Sequence, residues 1–303
     1  MRPFGVAGMQ LRISGRDNNI PYLSARLDQL VALFPWVEMV VFSELAAFGP
    51  STARAEPLPG PAEEAFQDMA RRHKLWLVNG SLYEKRKKGV YNTASVIDPT
   101  GEVVGRHRKL FPFLPYETGV EAGTDFLVFD VPGVGCFGVS ICYDGWFPET
   151  TRTLIGMGAE VILHPSLTGT IDRDVELAIA RASAATNQCY FVDINGTGAG
   201  GIGRSIIVGP DGEVLHQAGS GEELIPVPLE LDRVRRAREE GLKGLGQPLK
   251  SFRDRKVRFG VYNPLWRGGK SEDETMYLDT LGPLEKPRRP TRSRKPRDNR
   301  SSE

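Results

Sequence analysis

Among the three cysteines of this 303-residue chain, Cys142 stands where a nucleophile would be placed. In GVSICYDGWFPE an apolar run stops abruptly before a helix-like segment, which exposes a thiol at a strand-to-helix turn. Alone, such a cysteine is more often a buried, inert packing residue. A thiol with an ordinary pKa of about 8.5 is only a few per cent ionised at neutral pH, so a cysteine enzyme needs a base or a cationic neighbour. Of the four histidines, His73 falls on a helix and His216 on a distal hairpin, and neither remaining one, His107 or His164, carries a Cys/His signature. Glu44 is the better base, because it directly follows the buried run VEMVVFS and strand ends are where α/β sheets place their active sites. Burial would raise its pKa and make it a more effective proton acceptor; the competing reading is a solvated loop acid. Lys109, in GRHRKLF, would set an ammonium beside that carboxylate and opposite the thiol. At about 4 Å and an effective dielectric near 20, such a pair gains on the order of 4 kcal/mol. The same charge would stabilise an oxyanion, although by itself Lys109 also reads as one member of a solvated basic run.

The elements that must hold these residues follow from periodicity. Residues 4–11 read as a first strand, 24–34 as a helix with Leu27, Leu30, Val31 and Phe34 at helical spacing, and 37–43 as a strand of the type buried in a sheet core. Gly60 and Pro61 open a second helix that runs to Lys74, followed directly by a strand over 75–83. Two later segments, TASVIDPTGEVVGRHRK and SIIVGPDGEVLHQAG, share one shape, an apolar run that turns at Pro-x-Gly and returns. Between them strand-like and helix-like runs alternate as in an α/β protein. The repeated shape fits two halves of similar topology, and convergent hairpin chemistry accounts for it as well.

Composition narrows the field. The net charge of +1 is uneven: residues 284–303 hold eight Lys/Arg against three acids, leaving the remainder at about −4, so the body is not a nucleic-acid binder by charge. No apolar run approaches the roughly 20 residues that span a bilayer and the N-terminus lacks a secretory pattern, so a cytoplasmic protein without membrane attachment is expected. An odd number of cysteines argues for reduced thiols, and Cys136 and Cys142 on one strand would be about 20 Å apart, beyond disulfide reach. With no CxxC and no HExxH, neither a metal nor a cofactor is expected. Residues 284–303 have too little apolar content to offset their ordering entropy and are expected to be a disordered basic tail.

FSELAAFGP around Glu44, GRHRKLFPF around Lys109 and VSICYDGWFPETTRTLIGMGAEVILHPS around Cys142 occur in one order, and on them the chain resembles the carbon-nitrogen hydrolase (nitrilase-like) superfamily over residues 3–231. The later ARASAATNQCYFVDINGTG and GRSIIVGPDGEVL are also similar to that family. The resemblance implies an α/β fold, an αββα sandwich of two mixed sheets between helix layers, carrying a Glu44, Lys109, Cys142 triad. It implies a second glutamate between lysine and cysteine, assigned to Glu117 by position, with Glu121 as the rival. It further implies a homo-oligomer, with a hydrolase domain over 1–235 and a C-terminal extension over 236–283 making oligomer contacts.

The activity implied is hydrolysis of a small linear amide through a thioester, with the Tyr143 backbone N–H sharing the oxyanion and Tyr143, Trp146 and His164 touching substrate. True nitrilases typically follow the cysteine with Trp-Glu; here Tyr143 and Asp144 follow, as in the amidase-like branches. N-carbamoyl amide hydrolases generally carry arginine just after the cysteine to grip a carboxylate. Here that stretch offers Asp144 and aromatics, so an anionic substrate is expected to meet repulsion from Asp144, unless Arg173 or Arg204 reaches in from another loop. The N-carbamoyl reading is therefore second, a nitrilase third, and a catalytically silent scaffold last. A membrane acyltransferase of the same superfamily lacks the spanning helices it would need here.

Overall fold

The computed structural model describes residues 2–114, 116–257, 259, 262 and 281–284. These divide into two units, one of residues 2–112 and 119–257 and the other of the remaining described residues, 113, 114, 116–118, 259, 262 and 281–284.

In the first unit the apolar runs become two sheets. One orders its strands Glu223–Leu229, Phe4–Gln10, Met39–Phe42, Trp76–Val78, Gly89–Ile97 and Leu82–Arg86, with Val103–Arg108 also paired to Gly89–Ile97. The other runs Val214–Gln217, Ile206–Val208, Tyr190–Asn195, Val161–Ser166, Gly135–Val139 and Leu127–Val131. Both faces of the central strands are buried, which is why they read as continuous apolar runs rather than alternating ones. Along Met39–Phe42, Met39 and Val41 face the second sheet, where they meet Val161, Leu163, Val192 and Ile194. Val40 and Phe42 face the helices Ile20–Leu33 and Pro61–His73. On the far side Ile162 and Phe191 pack against Pro148–Gly156 and Asp172–Asn187. The layers are therefore helix, sheet, sheet, helix, as expected. At Gly8 the sheets approach so closely that a Cβ would lie 2.1 Å from Ile194 Cδ1.

The two sheets repeat one connectivity. Phe4–Gln10, Met39–Phe42 and Trp76–Val78 are parallel neighbours, closed by the antiparallel hairpin of Gly89–Ile97 with Val103–Arg108. Gly135–Val139, Val161–Ser166 and Tyr190–Asn195 are likewise parallel, closed by Ile206–Val208 with Val214–Gln217. Each first strand also takes an antiparallel outer neighbour, Glu223–Leu229 or Leu127–Val131. The two Pro-x-Gly hairpins thus occupy equivalent places in two similar halves.

Two elements differ from expectation. The first helix starts at Ile20 because Pro21 is tolerated in a first helical turn, and its buried stripe is Leu23, Leu27 and Leu30. The strand expected over 75–83 is interrupted between Trp76–Val78 and Leu82–Arg86. Gly80 has φ +77°, and a Cβ there would lie 1.8 Å from the Ser43 carbonyl oxygen, so the chain bends against the end of the neighbouring strand.

Helix Leu231–Glu240 belongs to the first unit, burying Leu231, Val234 and Ala237 while Arg238 donates to the Ala159 carbonyl. In the second unit Glu117 closes a turn on Phe113, its N–H donating to the Phe113 carbonyl at 2.9 Å and its carboxylate accepting the Phe113 N–H at 2.6 Å. The tail expected over 284–303 lies, beyond Leu284, outside the described residues. Among the described residues no helix is long and apolar enough to cross a membrane.

Candidate active site

Three strand ends supply the site in the first unit. Glu44 lies two residues past Met39–Phe42, and its backbone N–H crosses to the second sheet at the Ser166 carbonyl, 3.2 Å away. Leu45, at φ +53°, donates its N–H to Ser81 Oγ at 2.9 Å, so the bend at Gly80 also steadies the loop that carries Glu44. Lys109 directly follows Val103–Arg108 and is held by its N–H to the Asn92 carbonyl at 2.8 Å. Its Nζ donates to Glu44 Oε1 at 2.9 Å, and Asn92 Nδ2 donates to the same oxygen at 2.8 Å. The side chains of Lys109 and Glu44 are 2% and 4% exposed, so this is a buried ion pair that depends on keeping both partners.

Cys142 follows Gly135–Val139 at φ +46°, a left-handed conformation costly for a residue with a Cβ. That turn presents Sγ to Thr168 Oγ1 at 3.7 Å and to the Leu167 backbone N–H. Burial pushes the thiol well above its ordinary range; the Glu44 carboxylate adds to this, Lys109 opposes it and Glu176 reinforces it. The sulfur therefore rests as a thiol, flanked by two carboxylates and one ammonium.

Asp144 holds the turn in place. Its Oδ2 accepts the Ile141 N–H at 3.0 Å and His107 Nε2 at 3.1 Å, while Oδ1 accepts the N–H groups of Leu110 and Phe111 at 3.0 and 2.9 Å. One carboxylate thus binds the residue before Cys142 to the two after Lys109. Its side chain is fully buried. The expectation that Asp144 would face an anionic substrate is therefore corrected: both oxygens are taken by protein donors.

The other expected contacts divide. Tyr143 and Trp146 are half-buried with ring centroids 5.9 Å apart, and Tyr143 meets Phe147 edge-on at 5.3 Å. His164 lies beneath the turn, its Nδ1 paired with Ser140 Oγ at 2.7 Å and its ring so close to Gly145 that a Cβ there would lie 2.9 Å from Cε1. Burial holds its pKa below the ordinary range, so the ring is neutral. Glu121 is exposed at the hairpin rim, its N–H on the Val90 carbonyl at 2.7 Å. Glu117 belongs to the second unit.

Thr168 and Glu176 escaped the sequence reading. Thr168 Oγ1 donates to Glu176 Oε1 at 3.0 Å, and Trp146 Nε1 reaches the same oxygen at 3.4 Å. Arg173, fully buried, is divided between Glu176 Oε2 at 3.1 Å and Asp193 Oδ2 at 2.8 Å. Arg204 pairs with Asp174 at 2.7 Å. Burial and then Asp193 raise the Glu176 pKa, with Arg173 opposing. The signal in the sequence was a polar residue at a strand end, Thr168 after VILHPS, the same signal that singled out Glu44.

The carbon-nitrogen hydrolase family model matches residues 7–239, a span that contains Glu44, Lys109 and Cys142. The chain belongs to the carbon-nitrogen hydrolase family. It is 30% identical over 213 residues to a formamidase of Bacillus cereus, an alignment that covers 66% of this chain and only 64% of the formamidase. Among solved structures this carbon-nitrogen hydrolase resembles Saccharomyces cerevisiae Nit3, a member of branch 10 of the nitrilase superfamily, with TM-score 0.73, 26% identity and coverage of 78% and 94% of the two chains. It shares the fold of an amidase from Nesterenkonia sp. AN1 in complex with butyramide, with TM-score 0.68, 24% identity and coverage of 79% and 95%.

Proposed function

We propose that this chain hydrolyses a small, uncharged linear carboxamide to the carboxylic acid and ammonia, with Cys142 as nucleophile, Glu44 as general base and Lys109 as transition-state stabiliser. The observation that carries this reading is the buried 2.9 Å pair between Lys109 Nζ and Glu44 Oε1, set in the electrostatic surroundings of a thiol whose pKa lies above its ordinary range. Such a thiol cannot wait as a thiolate, so its proton must leave as the sulfur attacks, and a neighbouring carboxylate is suited to take it.

In the first half-reaction Glu44 accepts the Cys142 proton as Sγ bonds to the amide carbon. The oxyanion is held by Lys109 and the Tyr143 N–H, donors of a kind whose loss typically costs about 10² to 10³ in rate. Glu44 then gives the proton to the departing nitrogen, the C–N bond breaks, and ammonia leaves a thioester on Cys142. Water, deprotonated by Glu44, attacks the thioester and releases the acid and the thiol. Glu117 is assigned as the second glutamate from its position eight residues after Lys109. Tyr143 and Trp146 form the substrate wall, and His164 supports the turn from below.

A neutral substrate is favoured because the sulfur feels two carboxylates against one ammonium, while the guanidinium groups of Arg173 and Arg204 are engaged by acids. The formamidase relative and the butyramide-bound amidase point to the same small-amide class. The test is ammonia release by the purified chain from formamide, acetamide and butyramide, with intact-mass detection of an acyl adduct that vanishes in Cys142→Ala. Turnover retained in natively folded Cys142→Ala, or a clear kcat/KM preference for an N-carbamoyl amino acid over its neutral amide counterpart, contradicts the proposal.

A further inference from the structure

A second constellation lies on the side of the first sheet that carries helix Pro61–His73. There a cleft of about 820 Å³ is lined by Lys85, Arg86, Lys87, Lys88, Arg106 and Arg108, and the single acid among its lining residues is Glu84. Along Val103–Arg108 the side chains alternate: Arg106 and Arg108 face this cleft, whereas His107 points the other way to Asp144. The cleft is thus separated from the Cys142 site by the thickness of the sheet.

Two features distinguish it from an ordinary solvated basic face. The arginines at its base are fixed from behind by carboxylates with almost no exposure. Arg108 is gripped by Glu84 at 2.7 and 2.9 Å, and Arg106 by Glu63 at 2.8 and 2.7 Å. Each grip engages Nε and Nη2, so the donors on Nη1 stay available to the cleft. The hydrogen bonds to Glu84 and Glu63 raise both guanidinium pKa values, so neither fork loses its charge. At the rim, Lys87 and Lys88 form the two-residue tip of the hairpin in which Arg86 pairs with Gly89, and both are exposed. Adjacent lysines repel one another; Glu84 is committed to Arg108, and the one further acid near the tip is Glu121, which lies against Gly89.

We infer that this cleft binds a compact polyphosphate group, either a free polyphosphate or the phosphate chain of a nucleotide. Rigid arginine forks match phosphate oxygens in shape, and long-stemmed lysines supply point charges around them. A single carboxylate ligand would leave most of these cations unused. Pro57 and Leu58 wall the cleft, and its volume lies within the range of about 300 to 1,000 Å³ common for small-ligand sites, which favours a short anion over a nucleic-acid strand.

The probes are tripolyphosphate, ATP and adenosine, titrated by calorimetry into the full chain at low ionic strength. Tripolyphosphate and ATP are expected to bind saturably at one site and adenosine not at all. Lys87→Glu with Lys88→Glu is expected to weaken both by about tenfold or more. The control, Arg288→Glu with Arg289→Glu in the basic C-terminal segment, should bind as the parent does. If the charge reversal disturbs folding, Lys87→Ala with Lys88→Ala is expected to give a smaller loss in the same direction. Absence of saturable binding, binding of adenosine, or a loss that follows the C-terminal reversal instead of the hairpin overturns the inference. None of these readouts depends on amide hydrolysis.

Discussion

Replacing Asp144 by asparagine tests whether one buried carboxylate aligns Cys142, the proposed nucleophile, with Lys109. The amide keeps a single oxygen. Directed at Leu110 and Phe111, that oxygen retains two of the four contacts and turns the NH₂ toward Ile141 and His107. His107 can change tautomer and accept, but the Ile141 N–H then faces a donor and is left buried without an acceptor. One hydrogen bond is lost and the two retained ones become neutral. Bonds to a charged group contribute about 1.5 to 3 kcal/mol against about 1 for neutral pairs, so the cost is on the order of 3 to 5 kcal/mol. A fold in the upper part of the usual range of about 5 to 15 kcal/mol survives this, and Asp144→Ala, which leaves three backbone N–H groups and His107 Nε2 without an acceptor, should fare worse. Because Ile141 precedes Cys142 and Leu110 follows Lys109, relaxation of these contacts moves both of the proposed catalytic groups, and a displacement of about 1 Å can cost 10²-fold in rate. Urea unfolding and kcat/KM on a small amide are the assays, both at a temperature where the variant is folded. An Asp144→Asn protein within about 1 kcal/mol of the parent and with most of its activity would refute the reasoning.

Lys109→Arg should lose nearly as much activity as Lys109→Ala, since the 2% exposed site beside Glu44 has no room for a larger planar cation; substantial turnover in the arginine variant would reduce Lys109 to a general electrostatic role. Lys109→Ala should also destabilise the fold by about 3 to 5 kcal/mol, read by urea unfolding, because the Glu44 carboxylate stays buried without its cation. Burial pushes the Cys189 thiol from 9.0 up to about 12, so the unfolded chain loses that proton first and stability contributed by this group falls as pH rises between those values. Cys189→Ala should flatten the unfolding free energy in that window by about 1.4 kcal/mol per pH unit, and an unchanged slope would place the titration elsewhere. Light scattering is expected to show a homo-oligomer at micromolar concentration, unaltered by deletion of residues 284–303; a monomer, or loss of soluble protein on deletion, would count against that assembly and against a dispensable tail.

The strands, helices and repeated half were legible because they rest on periodicity, whereas their stacking into four layers was implied by the family resemblance alone. Apolar runs of strand length, amphipathic helices and two Pro-x-Gly turns are local signals, and local signals survive in one dimension. Glu44 and Cys142 were legible for a related reason: each interrupts an apolar run where a buried strand must end. The orientation of Asp144 was not. Two residues past Cys142, its carboxylate could turn outward to a substrate or inward to the backbone, and the choice is set by the N–H groups of Leu110 and Phe111, more than thirty residues away. Glu176 was hidden similarly, because DRDVELAIAR reads as an ordinary helix until Thr168 and Arg173 are brought to that carboxylate. The interruption at Gly80 depends on the Ser43 carbonyl of a neighbouring strand, a contact no window of sequence contains.

The duplicated sheets also explain why the site needs both halves. Glu44 and Lys109 extend strands of the first sheet, while Cys142 and Thr168 extend strands of the second, so neither half alone brings acid, cation and thiol together. Their alignment rests on polar ties across the seam, the Glu44 N–H to the Ser166 carbonyl and Asp144 to Leu110 and Phe111, and on the spacing fixed where Gly8 meets Ile194. The apolar interior between the sheets has no directional preference and tolerates small slips; hydrogen bonds of 2.9 to 3.2 Å do not. The core therefore supplies cohesion and the seam supplies register. A substitution in the seam should affect the alignment of Cys142 with Lys109 out of proportion to the stability it removes, whereas one in the inter-sheet core should do the reverse.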